Sequence, residues 1–150
     1  ITDYVNDNRV NSVFDDPHAS VYYSDIIDLQ NPATGLKVIV SAERPGDADF
    51  RVLYTTIKAD SSEIEQSFEL FPGYDNLKQT TEGFLVVDPS KNSGLPDRKV
   101  RASLDGEFLE YEFTVDNLDL FNGYGIKIVM SSSNQAQAPR LGDLRIIALR

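Results

Sequence analysis

Beyond residue 20 the chain alternates apolar and polar positions, and it does so with a period of two. From Gly35 onward, Val38, Val40 and Ala42 fall on one side and Lys37, Ile39 and Ser41 on the other. Phe50, Val52 and Tyr54 alternate with Arg51, Leu53 and Thr55, and Tyr111, Phe113 and Val115 with Glu110, Glu112 and Thr114. Ile126, Ile128 and Met130 share a side, as do Leu144, Ile146 and Ala148 opposite Arg145, Ile147 and Leu149. Successive side chains of an extended backbone point to opposite faces, so this pattern predicts half-buried strands. No segment sustains the 3.6-residue period of an amphipathic helix.

Turn formers punctuate these segments. A β-branched and aromatic run, Val21–Leu29, is bounded by Asn31-Pro32. Pro45-Gly46-Asp47-Ala48-Asp49 predicts a tight loop that pairs 36–42 with 50–58 as antiparallel neighbours. Asp105-Gly106 predicts a type I′ hairpin between VRASL and EFLEYEFTV, and Asn122-Gly123 a further turn. Between residues 59 and 99, ADSSEIEQ fits a helical turn or a loop, SFELF and EGFLVVD fit short strands, and PSKNSGLPDRK fits an exposed loop. About eight strands separated by such turns predict an all-β fold: an antiparallel two-sheet β-sandwich, jelly-roll-like. Residues 1–20 are polar and without period, an irregular N-terminal segment that Val10, Val13 and Phe14 would pin to the core. Residues 21–150 then form a single sandwich domain.

Composition narrows the chemistry. The 150 residues carry 14 Lys+Arg against 24 Asp+Glu, a formal charge of −10, with no Cys, no Trp and one His. Disulfides, thiolate metal sites and cysteine nucleophiles are therefore excluded. The acidic balance argues against nucleic acid and anionic membrane as partners. The chain opens on Ile1 without a signal-peptide pattern, which suggests a piece of a longer polypeptide.

No catalytic motif emerges. His18 lies beside Asp15 and Asp16, but neighbours in a turn rarely converge on one atom. Carboxylates are plentiful, yet no spacing selects a pair for acid–base work. No cofactor is expected. A structural calcium is the one metal to weigh, with Asn6-Asp7-Asn8, Asp15-Asp16, Asp47 with Asp49, and Asp75-Asn76 as oxygen-bearing loops. Asp and Asn are equally ordinary turn formers, and none of these loops has EF-hand spacing. Saccharide faces use aromatic platforms; Tyr74 and Tyr124 are the candidate ligand-facing aromatics. Tyr22 and Tyr23 point to opposite faces of a strand, so at most one of them would be exposed.

Two stretches resemble a known family. Tyr124-Gly-Ile-Lys-Ile-Val-Met-Ser-Ser-Ser-Asn134, followed by Ala138-Pro-Arg-Leu-Gly-Asp-Leu-Arg-Ile-Ile-Ala-Leu149, resembles a segment of virion proteins of tailed bacteriophages, especially large phages of marine and cyanobacterial hosts. Val13-Phe-Asp-Asp-Pro-His-Ala19 with Tyr22, Asn31–Val38 and the Phe50–Tyr54 strand fit the same pattern, while residues 60–100 do not. The resemblance implies a non-enzymatic structural domain of a tail, baseplate or tail fibre, located in the virion. Its partners would be other tail subunits, in a homo-oligomer. Within the matching segment, Arg140, Asp143 and Arg145 would set registry at an interface. A receptor- or carbohydrate-binding module at a fibre tip, engaging a host-surface glycan, is the alternative. An accessory domain of a polysaccharide-degrading enzyme is a third, more distant one.

Overall fold

The computed structural model describes residues 20–46, 48–58, 68–75, 77–87, 92–132 and 139–150. Every regular element among them is a strand. One sheet is built on β9 (Phe121–Ser132), which pairs along most of its length with β4 (Ala48–Lys58). On its other side β9 takes β1 (Ser20–Tyr23) and β2 (Ile27–Ala33) end to end, and β5 (Glu69–Leu70) adds to β4. The second sheet runs β10 (Arg140–Leu149), β3 (Gly35–Glu43), β8 (Leu109–Val115). All these pairings are antiparallel. A separate ribbon joins β6 (Leu77–Gln79) to β7 (Leu85–Val87).

The two sheets pack face to face, as the alternating pattern requires. Leu36, Val38, Val40 and Ala42 of β3 meet Phe50 and Val52 of β4, Phe113 of β8, and Ile126 and Ile128 of β9 in one dry cluster. Each fully buried Val, Ile, Leu or Phe contributes about 1.5–3 kcal/mol relative to exposure. Aromatic rings fill the side nearest β8: Phe50 meets Tyr111 edge-on at 4.9 Å between centroids, Tyr54 meets Phe71 at 5.0 Å, and Phe71 meets Phe113 at 6.0 Å. These contacts set β8 over β4, and the order of the second sheet then leaves β10 at its far edge.

Several local expectations are corrected. Segments 36–42 and 50–58 do not pair; β3 and β4 lie in different sheets and face each other across the interior. The Pro45-Gly46 corner therefore carries the chain between sheets, held by a parallel bridge from Pro45 to Ser103. The run 21–29 is two strands rather than one, since Ser24–Ile26 breaks it, and β2 continues through Asn31-Pro32 to Ala33. Pro32 is tolerated there because the register jumps between Asp28 and Ala33, which leaves the prolyl nitrogen outside a regular ladder. Asn122-Gly123 lies inside β9, not in a turn. VRASL forms no strand. The turn at Asp105-Gly106 is closed by Glu107 N–H donating to Leu104 O at 3.0 Å, with positive φ only at Gly106 (77°). That is a type II turn, since type I′ would need positive φ at Asp105 as well.

The outer face of the first sheet is also partly covered. Leu53 and Val129 pack there under Phe68 and Leu70 in a small second cluster. Lys127 is wholly buried on the same face, its ammonium 5.7 Å from the Phe68 ring centre. Val10, Val13, Phe14 and His18 lie outside the described residues, as do Asp15, Asp16 and the ADSSEIEQ segment.

Candidate functional site

Two places on the sandwich gather chemistry. The first is a pocket of about 140 Å³ on the β4–β8 side, where the corner after β3 and the loop 93–100 approach each other. Its walls include Arg44, Asp49, Tyr74 and Lys99, above the rings of Phe50 and Tyr111. Arg44 is held in place by the fold: Nε donates to Tyr111 Oη at 3.1 Å and Nη2 to the Val100 carbonyl at 2.7 Å. Its backbone N–H donates to Ser103 Oγ at 2.9 Å, and Ser103 N–H donates back to the Arg44 carbonyl at 2.8 Å. Tyr74 is placed by its own N–H, which donates to the Pro96 carbonyl at 2.9 Å. The preceding Gly73 has φ 88°, and a Cβ there would run into Ser93 Oγ. A wider open groove of about 540 Å³ adjoins this pocket and shares Lys99 and Val100 with it; Arg98, Arg101, Glu110 and Glu112 also line that groove.

Of the residues expected from sequence to face a ligand, Tyr74 lines the pocket and Tyr124 does not. Tyr124 is 5% exposed, its ring part of the interior between Ile27 of β2 and Thr56 of β4, and burial raises its phenol pKa. Tyr22 and Tyr23, expected to show at most one exposed ring, are both exposed because β1 is a short edge strand. Arg44 and Lys99 are not singled out by the sequence pattern, and Asp49 stands out there only as a candidate calcium ligand. The run Arg98-Lys99-Val100-Arg101, three cations together in an acidic chain, was the available signal.

The second place is the edge of the second sheet. Among the described residues no strand pairs with the outer side of β10. Arg140, Asp143 and Arg145 all lie on this strand and all are exposed. Among the described residues none of them forms an ion pair. A bulge between Leu141 and Leu144 sets both Gly142 and Asp143 against Ser41. Arg140 faces Glu43 in register, and Glu43 is buried with one carboxylate oxygen lacking a hydrogen-bond partner among the described residues. The opposite edge of the sheet is plugged. Asp97 N–H donates to the Glu112 carbonyl at 2.7 Å, and the Asp97 carboxylate accepts from Thr114 N–H at 3.0 Å and Thr114 Oγ1 at 2.6 Å. Burial raises the Asp97 pKa, while the two bonds from Thr114 pull it down.

Of the loops weighed for calcium, Asp49 and Asp75 are described, whereas Asp47, Asn76 and the loops before residue 20 lie outside. Among the described residues no group of three or more His, Asp or Glu side chains is placed to hold a metal. Set beside protein-family models, curated proteins and solved structures, the chain finds no match in any of the three.

Proposed function

We propose that this chain is a non-enzymatic assembly domain of the kind its resemblance implies: a virion structural domain of a phage tail, baseplate or tail fibre. It would act by presenting surfaces to other tail subunits and to copies of itself. The observation that carries this reading is the open edge of β10. The backbone groups of β10 that point away from β3 meet no strand among the described residues, in the very segment where the resemblance is densest. An unpaired edge is a template for another strand, and natural sandwiches usually cover or blunt it, as Asp97 does at β8. The exposed Ile147 beside Arg145 adds an apolar contact to the charged registry. Mass spectrometry of purified particles, together with light scattering on the isolated chain, tests the proposal. The chain should occur in the virion and associate in solution. A free monomer with no virion partner would count decisively against it.

A second reading, a carbohydrate-binding module, is favoured by one specific observation: the pocket that combines Tyr74 with Asp49, Arg44 and Lys99. Convergent polar groups around an aromatic wall suit a small hydroxylated ligand. Binding to a glycan array that is lost in Tyr74→Ala would support this reading.

A further inference from the structure

From the same pocket we infer a ligand class: it accepts a single carboxylated sugar residue, a hexuronate, within an acidic polysaccharide. This deepens the carbohydrate-binding reading and rests on it. The molecule carries a formal charge of −10, yet Arg44, Arg98, Lys99 and Arg101 gather at the pocket and its adjoining groove. Four of the 14 cationic side chains thus line one seam of an otherwise acidic protein. Asp49, Glu110 and Glu112 line the same seam and Arg101 is taken up by Glu107, so the positive excess that matters at the pocket is Arg44 and Lys99 against Asp49 alone; it suits one carboxylate rather than a dense polyanion such as nucleic acid.

The donors are prepared for a carboxylate. Arg44 has Nε and Nη2 fixed on Tyr111 and Val100, so the guanidinium plane is set before any ligand arrives. Nη1 has no partner among the described residues and is available as a charge-assisted donor. Lys99 supplies a second, point-like cation from the rim. The remaining groups do not suit a bare anion. Asp49 would repel a phosphate or sulfate, but its carboxylate can accept sugar hydroxyls in addition to the bond it takes from Phe50 N–H at 2.9 Å and its ion pair with Arg51 at 3.9 Å. Tyr74 offers a ring against which the apolar face of a pyranose can lie. A neutral hexose would satisfy Asp49 and Tyr74 and leave both cations unused. The pocket is smaller than the ~300 Å³ lower bound for drug-sized ligands, which suits one ring. The adjoining groove gives the rest of a chain a way out.

Amide NMR titration at constant ionic strength, with glucuronate, glucose and acetate as separate probes, tests the assignment. Glucuronate should shift Tyr74, Leu95 and Val100 amides saturably, and glucose and acetate should do so at least about tenfold more weakly, the worth of one charge-assisted hydrogen bond or one sugar face. Lys99→Gln, at an exposed site that leaves folding intact, should weaken glucuronate by about the same factor. Arg44→Lys should do likewise, because an ammonium cannot hold both Tyr111 and Val100 as the guanidinium does and still present a fixed donor to the ligand. Equal binding of glucose would overturn the uronate assignment and leave the carbohydrate reading standing. Equal binding of acetate would reduce the pocket to an anion site and overturn it too. No shift with any probe would remove both the inference and the carbohydrate reading.

Discussion

At the scale of single residues, backbone conformation and a few charged contacts decide what the loops can do. Gly73 holds Tyr74 at the pocket with φ 88°, and Ser93 Oγ, which donates to the Pro72 carbonyl at 3.0 Å and accepts from Leu95 N–H at 3.2 Å, fills the space a Cβ would need. Gly73→Ala should therefore cost about 2 kcal/mol or more in urea unfolding, from left-handed strain plus loss of this hydrogen-bonded knot. A pH response belongs to the turn at 104–107. Arg101 grips Glu107 through two parallel bonds of 2.7 and 2.8 Å, and Leu104 N–H donates to the same carboxylate at 3.1 Å. These contacts hold the Glu107 pKa down to about 2. A carboxyl whose pKa is lower in the folded state stabilises the fold above its unfolded value, and that contribution fades as pH falls toward the folded one. The turn should thus be intact above about pH 4.5 and loosen between there and pH 2, seen as a loss of protection of the Leu104 amide relative to its intrinsic exchange rate at each pH. A protection factor unchanged across that interval would show that the carboxylate does not hold the turn.

At the scale of elements, the strands were legible wherever alternation was regular and their neighbours were not. Val38, Val40 and Ala42, Phe50, Val52 and Tyr54, and Tyr111, Phe113 and Val115 all face inward as their spacing requires. Period two fixes which side of a strand is dry, but it is silent about which strand lies beside it. The Pro45-Gly46 corner was therefore read as a hairpin when it crosses between sheets. Leu53 and Lys127 alternate with the dry positions yet both are buried: Leu53 clusters with Phe68, Leu70 and Val129, and Lys127 lies by the Phe68 ring, contacts with a segment distant from both in sequence that leave no local signature. Tyr74 was legible as a site residue from its type, whereas its partners Arg44 and Lys99 come together only through the bridge from Pro45 to Ser103 and the loop that precedes it. Core energetics follow from the faces that were legible. Phe113 is fully buried, with Phe50 and Phe71 each 6.0 Å away between ring centroids, so its removal empties the centre of the aromatic row. Phe113→Ala should cost about 3–5 kcal/mol by denaturant titration, whereas Thr114→Val, one residue along and on the outer face, removes only the Oγ1 bond to Asp97 and leaves both backbone bonds of that plug, so it should cost about 1–2 kcal/mol.

At the scale of the whole molecule, two sheet edges are treated differently, and this asymmetry directs association. The β8 edge is closed by Asp97, while among the described residues no strand covers β10, along which Arg140, Asp143 and Arg145 lie. Two copies meeting antiparallel along β10 with Leu144 on the two-fold axis would set Asp143 of each against Arg145 of the other. The interface would be isologous, and its charge pairs would occur twice. Cross-strand pairs of opposite charge contribute about 0.2–1 kcal/mol each, and like charges in the same place are unfavourable. Asp143→Arg turns two attractions into two repulsions, so self-association measured by sedimentation should weaken at least about tenfold. Arg145→Asp should weaken it comparably, and the double variant carrying both changes should recover it. Both side chains are exposed, so folding is not at stake. Added salt should weaken the native pairing and relieve the repulsion in the single variants, since exposed charges are screened within roughly 10 Å at 0.1 M. Association that ignores both single reversals would show that β10 is not the edge through which copies join. Association lost in the singles and not restored in the double variant would mean that Asp143 and Arg145 meet other groups, which would direct the search to a different partner chain on the same edge.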